Sequence, residues 1–185
     1  MVSKAMYSSK KHDWETPDEL LTVIERYRPI RLDPCTTHEN PTHAAEFFTP
    51  ADDGLCQDWN ASEGGLVYVN PPYGRQLSKW VGKAVSESLR RPMTSDRYGT
   101  EIIMLLPARP DTKNWQHGVF ENANAVCFIK GRIKFKGADN PAPFPSALVY
   151  FGDREDDFVR HFSDLGQTLT LWTGKHSVDQ YLRRG

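Results

Sequence analysis

The sequence predicts an α/β domain of three layers, built on a mixed, mostly parallel sheet with helices on both faces. Short apolar, β-prone runs alternate with amphipathic helical patterns, which is the order that strand-helix-strand units impose. No internal repeat interrupts that alternation. The 185 residues, 38% hydrophobic and 25% charged, suit one globular domain with a sizeable core, since such domains run to roughly 100–200 residues.

Residues 1–13 carry Lys4, Lys10 and Lys11 with little apolar content and are expected to be a flexible basic arm ahead of a domain over 14–185. Thr16-Pro17-Asp18-Glu19 supplies an N-cap threonine, a proline at the first helical position and a glutamate at the third. Leu20, Leu21, Ile24 and Tyr27 follow as an apolar stripe, so a helix starts here and Pro29 stops it. Ile30-Arg31-Leu32 alternates as a short strand that ends on the polar turn Asp33-Pro34-Cys35-Thr36-Thr37. A short strand over 45–48 precedes an acidic turn, Asp52-Asp53-Gly54, and Asp58-Trp59. Gly65-Leu66-Val67-Tyr68-Val69 reads as a buried strand that delivers Asn70-Pro71-Pro72-Tyr73-Gly74, where two prolines forbid both helix and ladder bonding. Leu77, Val81, Ala84, Val85 and Leu89 then recur at helical spacing. After a linker, Glu101-Ile102-Ile103-Met104-Leu105-Leu106 is a strand of the fully buried kind, ending at Pro107. A helix over 114–121, strands over 125–135 and 146–151, a charged helix over 153–165 and a strand over 167–172 complete the pattern. Trp59, Trp80, Trp115 and Trp172 read as core packing.

Lys and Arg number 23 against 24 Asp and Glu, a formal charge of -1. Nucleic acid must then be met by local basic clusters, because the molecule is not a polycation. No run approaches the roughly 18 apolar residues of a membrane helix, and Met1-Val2-Ser3-Lys4-Ala5-Met6-Tyr7 is too polar for a signal peptide, so a cytoplasmic protein is expected. Cys35, Cys56 and Cys127 include no C-x-x-C pair and read as small buried hydrophobes in a reducing compartment. A zinc set of Cys35, His38, His43 and Cys56 lacks closely paired ligands, and Pro41 breaks any helix joining the two histidines, so no metal is expected.

Open α/β sheets bind ligands outside the carboxyl ends of their strands. Asp33-Pro34-Cys35, Asn70-Pro71-Pro72-Tyr73 and the turn from Pro107 to Thr112 lie at such ends, and the second is the sharpest signal. The side-chain carbonyl of Asn70 and the backbone carbonyl of Pro71, held rigid by the proline rings, are two acceptors aimed at one spot, with Tyr73 beside them as a stacking surface. That set fits a planar NH2 group. An adenine amine is a poor nucleophile because its lone pair is conjugated with the ring. Two acceptors gripping its hydrogens favour a pyramidal nitrogen able to attack an electrophilic methyl, without a strong general base.

The tetrapeptide and its setting resemble the phage-type DNA N-6-adenine methyltransferases of the Dam class. The resemblance is carried by Trp14-Glu15-Thr16-Pro17, Asp33-Pro34-Cys35, Asp53-Gly54-Leu55 with Asp58-Trp59, and the tetrapeptide. Further along it rests on Leu106-Pro107-Ala108-Arg109 with Asp111-Thr112, Gly131-Arg132-Ile133-Lys134-Phe135, and Pro143-Phe144-Pro145-Ser146-Ala147-Leu148. It spans residues 14 to about 152 and implies a single Rossmann-like, S-adenosylmethionine-dependent methyltransferase domain. It implies that Asn70, Pro71, Pro72 and Tyr73 bind and activate the target adenine. It also puts Asp33 and Pro34 near the amino-acid end of the cofactor, with Thr16, Pro17 and Asn70 on the same wall. Asp58, with Asp53, would hydrogen-bond the cofactor's ribose or adenine. Phe135 is either the second face for a flipped base or a core residue. The first turn departs from the pattern, since Cys35-Thr36-Thr37-His38 contains no glycine where many methyltransferases carry Gly-x-Gly. By the same resemblance the enzyme would work in the bacterial cytoplasm and mark phage DNA against host restriction.

On duplex DNA the adenine must leave the stack, and binding then needs phosphate contacts. Lys130, Arg132, Lys134 and Lys136 alternate with Ile129, Gly131, Ile133 and Phe135, so on a strand all four charges share one face, as a DNA contact or as a solvated edge. Arg75, Lys79 and Lys83 follow the catalytic loop, Arg109 and Asp111 occupy the turn after the buried strand, and Lys10 and Lys11 add to the basic set. Asp33, Asp58 and Asp111 read equally well as turn or capping residues. Sequence choice would fall to loops over 90–100 and 137–145, and no obligate protein partner is evident. RNA adenine or a protein glutamine amide is an alternative acceptor, and a non-catalytic DNA-binding relative is the reading from another class.

Overall fold

The computed structural model of the chain describes residues 14–59, 65–90 and 100–171. The expected basic arm with Lys10 and Lys11, most of the loop over 90–100, and Trp172 lie outside the described residues. Helix α1 (Asp18–Tyr27) buries Leu20, Leu21 and Ile24 and carries Asp18 and Glu19 in its first turn, where the helix dipole favours anions. It stops where Arg28 turns extended ahead of Pro29. Its start differs by one residue from the expectation. Pro17 is the N-cap and no side chain caps the helix, because the Thr16 hydroxyl is engaged by Tyr68 and Asn70.

Strands β1 (Ile30–Asp33), β2 (Glu46–Phe47) and β3 (Leu66–Val69) lead to α2 (Leu77–Leu89) and β4 (Glu101–Pro107). A π-helix (Asn114–Val119), β5 (Ala125–Ile129), β6 (Ser146–Phe151), α3 (Glu155–Phe162) and β7 (Gly166–Thr170) follow. All seven strands form one sheet in the order β2-β1-β3-β4-β6-β5-β7. Pairing is parallel from β2 to β4 and antiparallel from β4 to β7, so β6 and β7 run against the other five strands. The sheet is mixed, as the sequence implies, with parallel pairing confined to the half that carries the site.

Alternation with period two divides the sheet between two cores. Leu66, Tyr68, Ile103, Leu105, Leu148 and Tyr150 pack under α1 and α3. Val67, Val69, Ile102, Met104, Leu106 and Val149 pack under α2 and under Trp115 and Val119 of the π-helix. Each large apolar side chain buried this way contributes about 1.5–3 kcal/mol. Trp59, Trp80 and Trp115 are buried, as the sequence suggests.

Three further elements depart from expectation, each through a tertiary contact. The helix expected over 114–121 is a π-helix over Asn114–Val119. The Trp115 indole donates to the Pro107 carbonyl at 2.8 Å and stacks on Phe128, while the Phe120 N–H reaches back to the Trp115 carbonyl. The strand expected over 125–135 ends at Ile129, which faces Gly166, the first residue of β7, and Gly131 then turns the chain with φ of 80°. Helix α3 is shorter than 153–165, since the Arg154 N–H is taken by the Tyr150 hydroxyl at 3.1 Å.

The turn after β2 docks on the turn after β1. Asp52 accepts from the Thr49 N–H and hydroxyl at 2.8 and 2.7 Å, and the Trp59 indole donates to the Gly54 carbonyl at 2.7 Å while stacking on Trp80. A Cβ on Gly54 would stand 1.9 Å from the Pro34 carbonyl oxygen, so only glycine permits this approach. Gly54→Ala is expected to lower stability by about 2 kcal/mol or more, read as a fall in melting temperature by circular dichroism. An unchanged melting curve would contradict the close approach.

Candidate active site

The chain leaves β1 toward β2 on one side and returns to β3 on the other, so the β1–β3 pair is where the strand order reverses. In such sheets the crevice beyond the carboxyl ends of that pair is the ligand site. Asp33 is the last residue of β1, and Asn70 directly follows β3.

Asn70 is half-buried, and both of its amide hydrogens are committed. Its Nδ2 donates to the Trp14 backbone carbonyl and, at 3.0 Å, to the Thr16 hydroxyl. A backbone carbonyl can only accept, so the amide has one orientation. Its Oδ1 is buried and has no partner among the described residues, a rare state for a buried acceptor. Thr16 is in turn bonded to the Tyr68 hydroxyl at 2.8 Å inside the protein. Tyr68 is a site residue that the sequence reasoning misses. A phenol in an otherwise aliphatic buried run is the signal that could have found it.

Pro71 is buried; the Pro72 carbonyl accepts from the Gly74 N–H, and no such bond reaches the Pro71 carbonyl among the described residues. Tyr73 is turned inward. Its hydroxyl donates to the Leu105 carbonyl at 3.1 Å, and burial holds its pKa well above the usual range. Its ring meets Phe135 and Phe144 edge-on at 6.2 and 5.6 Å, and Trp14 closes the group against the same two rings at 5.1 and 5.5 Å. Phe135 is thus a buried member of a four-ring enclosure next to Asn70. Arg109, exposed in the turn after β4, stands over the Phe144 ring at 5.9 Å. Asp111 is exposed in the same turn and does not cap the π-helix.

The Asp33 carboxylate is 3% exposed. It accepts from the Cys35 N–H at 3.0 Å and from the Thr42 hydroxyl at 2.9 Å, and so organises the turn that follows β1. No cation faces it in the described residues, and burial pushes its pKa from 3.8 up to about 6 despite these bonds. Pro34 is buried beside it, under Gly54, while Pro17 sits at the start of α1 next to Thr16. Asp53 is exposed, in a left-handed conformation with φ of 51°, and accepts from the Cys56 thiol.

Asp58 is exposed and ion-paired at 3.1 Å with Arg90, the residue that follows α2. The basic candidates also divide. Lys130, Arg132 and Lys134 are exposed while Ile133 and Phe135 are buried, so the expected alternation holds from Arg132 to Phe135, in a segment that lies outside the sheet, and is broken at the exposed Gly131. Lys136 is drawn off by Glu15 and Asp18 at 3.3 and 3.0 Å. Lys83 is held by Glu87 at 2.6 Å beside Trp59. Arg75 and Lys79 are exposed at the start of α2.

A mixed α/β sheet whose switch point carries a rigid Asn-Pro-Pro-Tyr loop under an aromatic enclosure has the Rossmann-like methyltransferase fold. A family model described as DNA N-6-adenine-methyltransferase (Dam) matches residues 3–146, and the chain belongs to that family. Membership implies a DNA adenine methyltransferase with DNA as substrate, and methyltransferases in general use S-adenosylmethionine. No curated protein matches the chain.

The Asp33 environment makes stability depend on pH. A carboxyl whose folded pKa is raised contributes stability that is fully present below pH 3.8 and is lost as the pH climbs through about 6. Asparagine at this position keeps an acceptor for the Cys35 N–H and can donate to Thr42, which passes its proton to Asn40 Oδ1 at 3.2 Å. Asp33→Asn is therefore expected to stabilise the fold at pH 7.5 by on the order of 2 kcal/mol, with the gain vanishing below about pH 4, in urea titrations across that range. A gain that did not vary with pH would point to some other cause.

Proposed function

We propose that the chain methylates the exocyclic N-6 amine of an adenine flipped out of duplex DNA, with Asn70 and Pro71 gripping that amine. The observation that carries this reading is the buried, unpartnered Oδ1 of Asn70, held in place while both hydrogens of its own amide are occupied. An acceptor left unsatisfied in a folded protein costs about 1–3 kcal/mol, and an incoming N–H relieves that cost. The Pro71 carbonyl supplies the second acceptor. Together they hold both amine hydrogens and direct the nitrogen lone pair out of conjugation with the ring, which strengthens its attack. Tyr73, Phe135 and Phe144, with Trp14, provide the apolar, ring-lined enclosure a planar base requires, once their inward packing opens.

S-adenosylmethionine, when bound, supplies an electrophilic methyl on a positively charged sulfonium. The residues at the switch point suit such a group, because Asp33 is a buried carboxylate facing no cation among the described residues and a cationic ligand would compensate it. In this reading Asp33 and Pro34 would hold the amino-acid end, and Asp53 would hydrogen-bond the ribose or the adenine of the cofactor. Lys130, Arg132 and Lys134 grip phosphates beside the pocket, joined by Arg109 and by Arg75 and Lys79 at the start of α2. The place of the reaction in marking phage DNA against restriction is supported by the resemblance of the motifs.

Labelled methyl transfer to duplex DNA, with nucleoside analysis, tests the reaction. Label in N-6-methyladenine, lost by roughly 100-fold or more in Asn70→Ala while cofactor binding persists, is the expected result. Substantial activity in that variant would remove Asn70 from its role, and label confined to RNA or protein would change the acceptor. Replacing Lys130, Arg132 and Lys134 together with alanine is expected to weaken DNA binding and flatten the log-log salt dependence by about 1 for each phosphate no longer neutralised. An unchanged slope would make that face a solvated edge.

A further inference from the structure

We propose that Thr16 and Tyr68 are positioning residues for methyl transfer, forming a buried hydroxyl chain that sets the Asn70 amide so that Oδ1 is the atom offered to the target amine. This rests on the role proposed above for Asn70. Tyr68 and Asn70 are two residues apart at the end of β3 and so project toward the same side, where the segment before α1 crosses. Tyr68 is fully buried, 0% exposed, and its hydroxyl is bonded to Thr16 at 2.8 Å; Thr16, 4% exposed, bonds onward to Asn70 Nδ2 at 3.0 Å. The chain therefore runs from the sheet interior to the amide and stops there, at the unpartnered oxygen.

Turning the amide over would set Oδ1 against the Trp14 carbonyl, acceptor against acceptor. Thr16 supplies the side-chain half of the same constraint, and Tyr68 fixes the rotation of the Thr16 hydroxyl. A phenylalanine would fill the core at 68 equally well, so packing leaves the Tyr68 hydroxyl unexplained, whereas orienting Thr16 accounts for it. Burial keeps the phenol neutral, so it acts as a fixed hydrogen-bonding group and not as a charge. This assigns Thr16 to the amide rather than to the cofactor wall.

The test compares Thr16→Val, Thr16→Ser and Tyr68→Phe in the full chain by steady-state methyl transfer, cofactor binding, and NMR hydrogen exchange of the Asn70 Nδ2 protons. Thr16→Val is expected to lower kcat roughly 10-fold, with cofactor affinity held within about twofold and faster Nδ2 exchange. Thr16→Ser should restore most of the rate, and Tyr68→Phe should lower kcat a few-fold even if the valine variant folds poorly. Wild-type kcat and slow exchange in both hydroxyl-less variants would overturn the proposal. So would a loss of cofactor affinity with kcat intact, which would return Thr16 to the cofactor wall. Failure of the underlying reading is seen separately, as no transfer to DNA by the unaltered chain, and would remove the proposal with it.

Discussion

The parallel pairing of β1 with β3 is the interaction on which the rest of the structure depends. Each strand is only four residues long, and β3 is buried on both faces, so its placement is fixed by the two cores and not by ladder length. The connections from these strands diverge, which leaves Asp33 and Asn70 at neighbouring carboxyl ends, with Asp33 closed over by Thr42 of the β1–β2 connection and Asn70 by the segment 14–16.

The site departs from ordinary folding chemistry in two places, and both lie at this pair of ends. Among the described residues, a buried carboxylate without a cation and a buried amide oxygen without a donor are each unfavourable, and the apolar layers under α1, α3 and α2 offset them. Elsewhere buried charge is answered. Glu101, at the opposite end of the sheet, meets Arg28, Arg154 and the Tyr27 hydroxyl, and Glu87 meets Lys83 and Arg90.

Much of this is legible in the chain. Helix α2 has the bounds its apolar spacing implies, and β3 runs straight into the proline pair. The Asn-Pro-Pro-Tyr loop announces itself because two prolines and an asparagine directly after a buried strand form a rigid polar turn. What escapes sequence reasoning is decided by partners far along the chain. Thr16 has the local signature of a helix cap, but its hydroxyl is taken by residues 52 and 54 positions on. Asp58 and Lys136 have no local sign of engagement, yet Arg90 and the first turn of α1 claim them, whereas the Lys83–Glu87 pair follows from a spacing of four residues in one helix. The alternation over 130–136 suggests a strand, and its charge pattern survives in the structure even though the ladder ends before it.

The separation in sequence of the groups around Asn70 bears on the order in which the molecule comes apart. Trp14 lies 56 residues from Asn70, and its ring partners Phe135 and Phe144 come from beyond β5. Contacts that close such long loops are entropically costly and few in number, whereas the β4–β6 and β5–β6 ladders are extensive. Under mild denaturation the segment 14–16 can detach as a local opening while the sheet persists. On the role proposed for Asn70, catalytic competence is then a more fragile property of this chain than its secondary structure, and an intact circular dichroism spectrum does not report on the arrangement around Asn70.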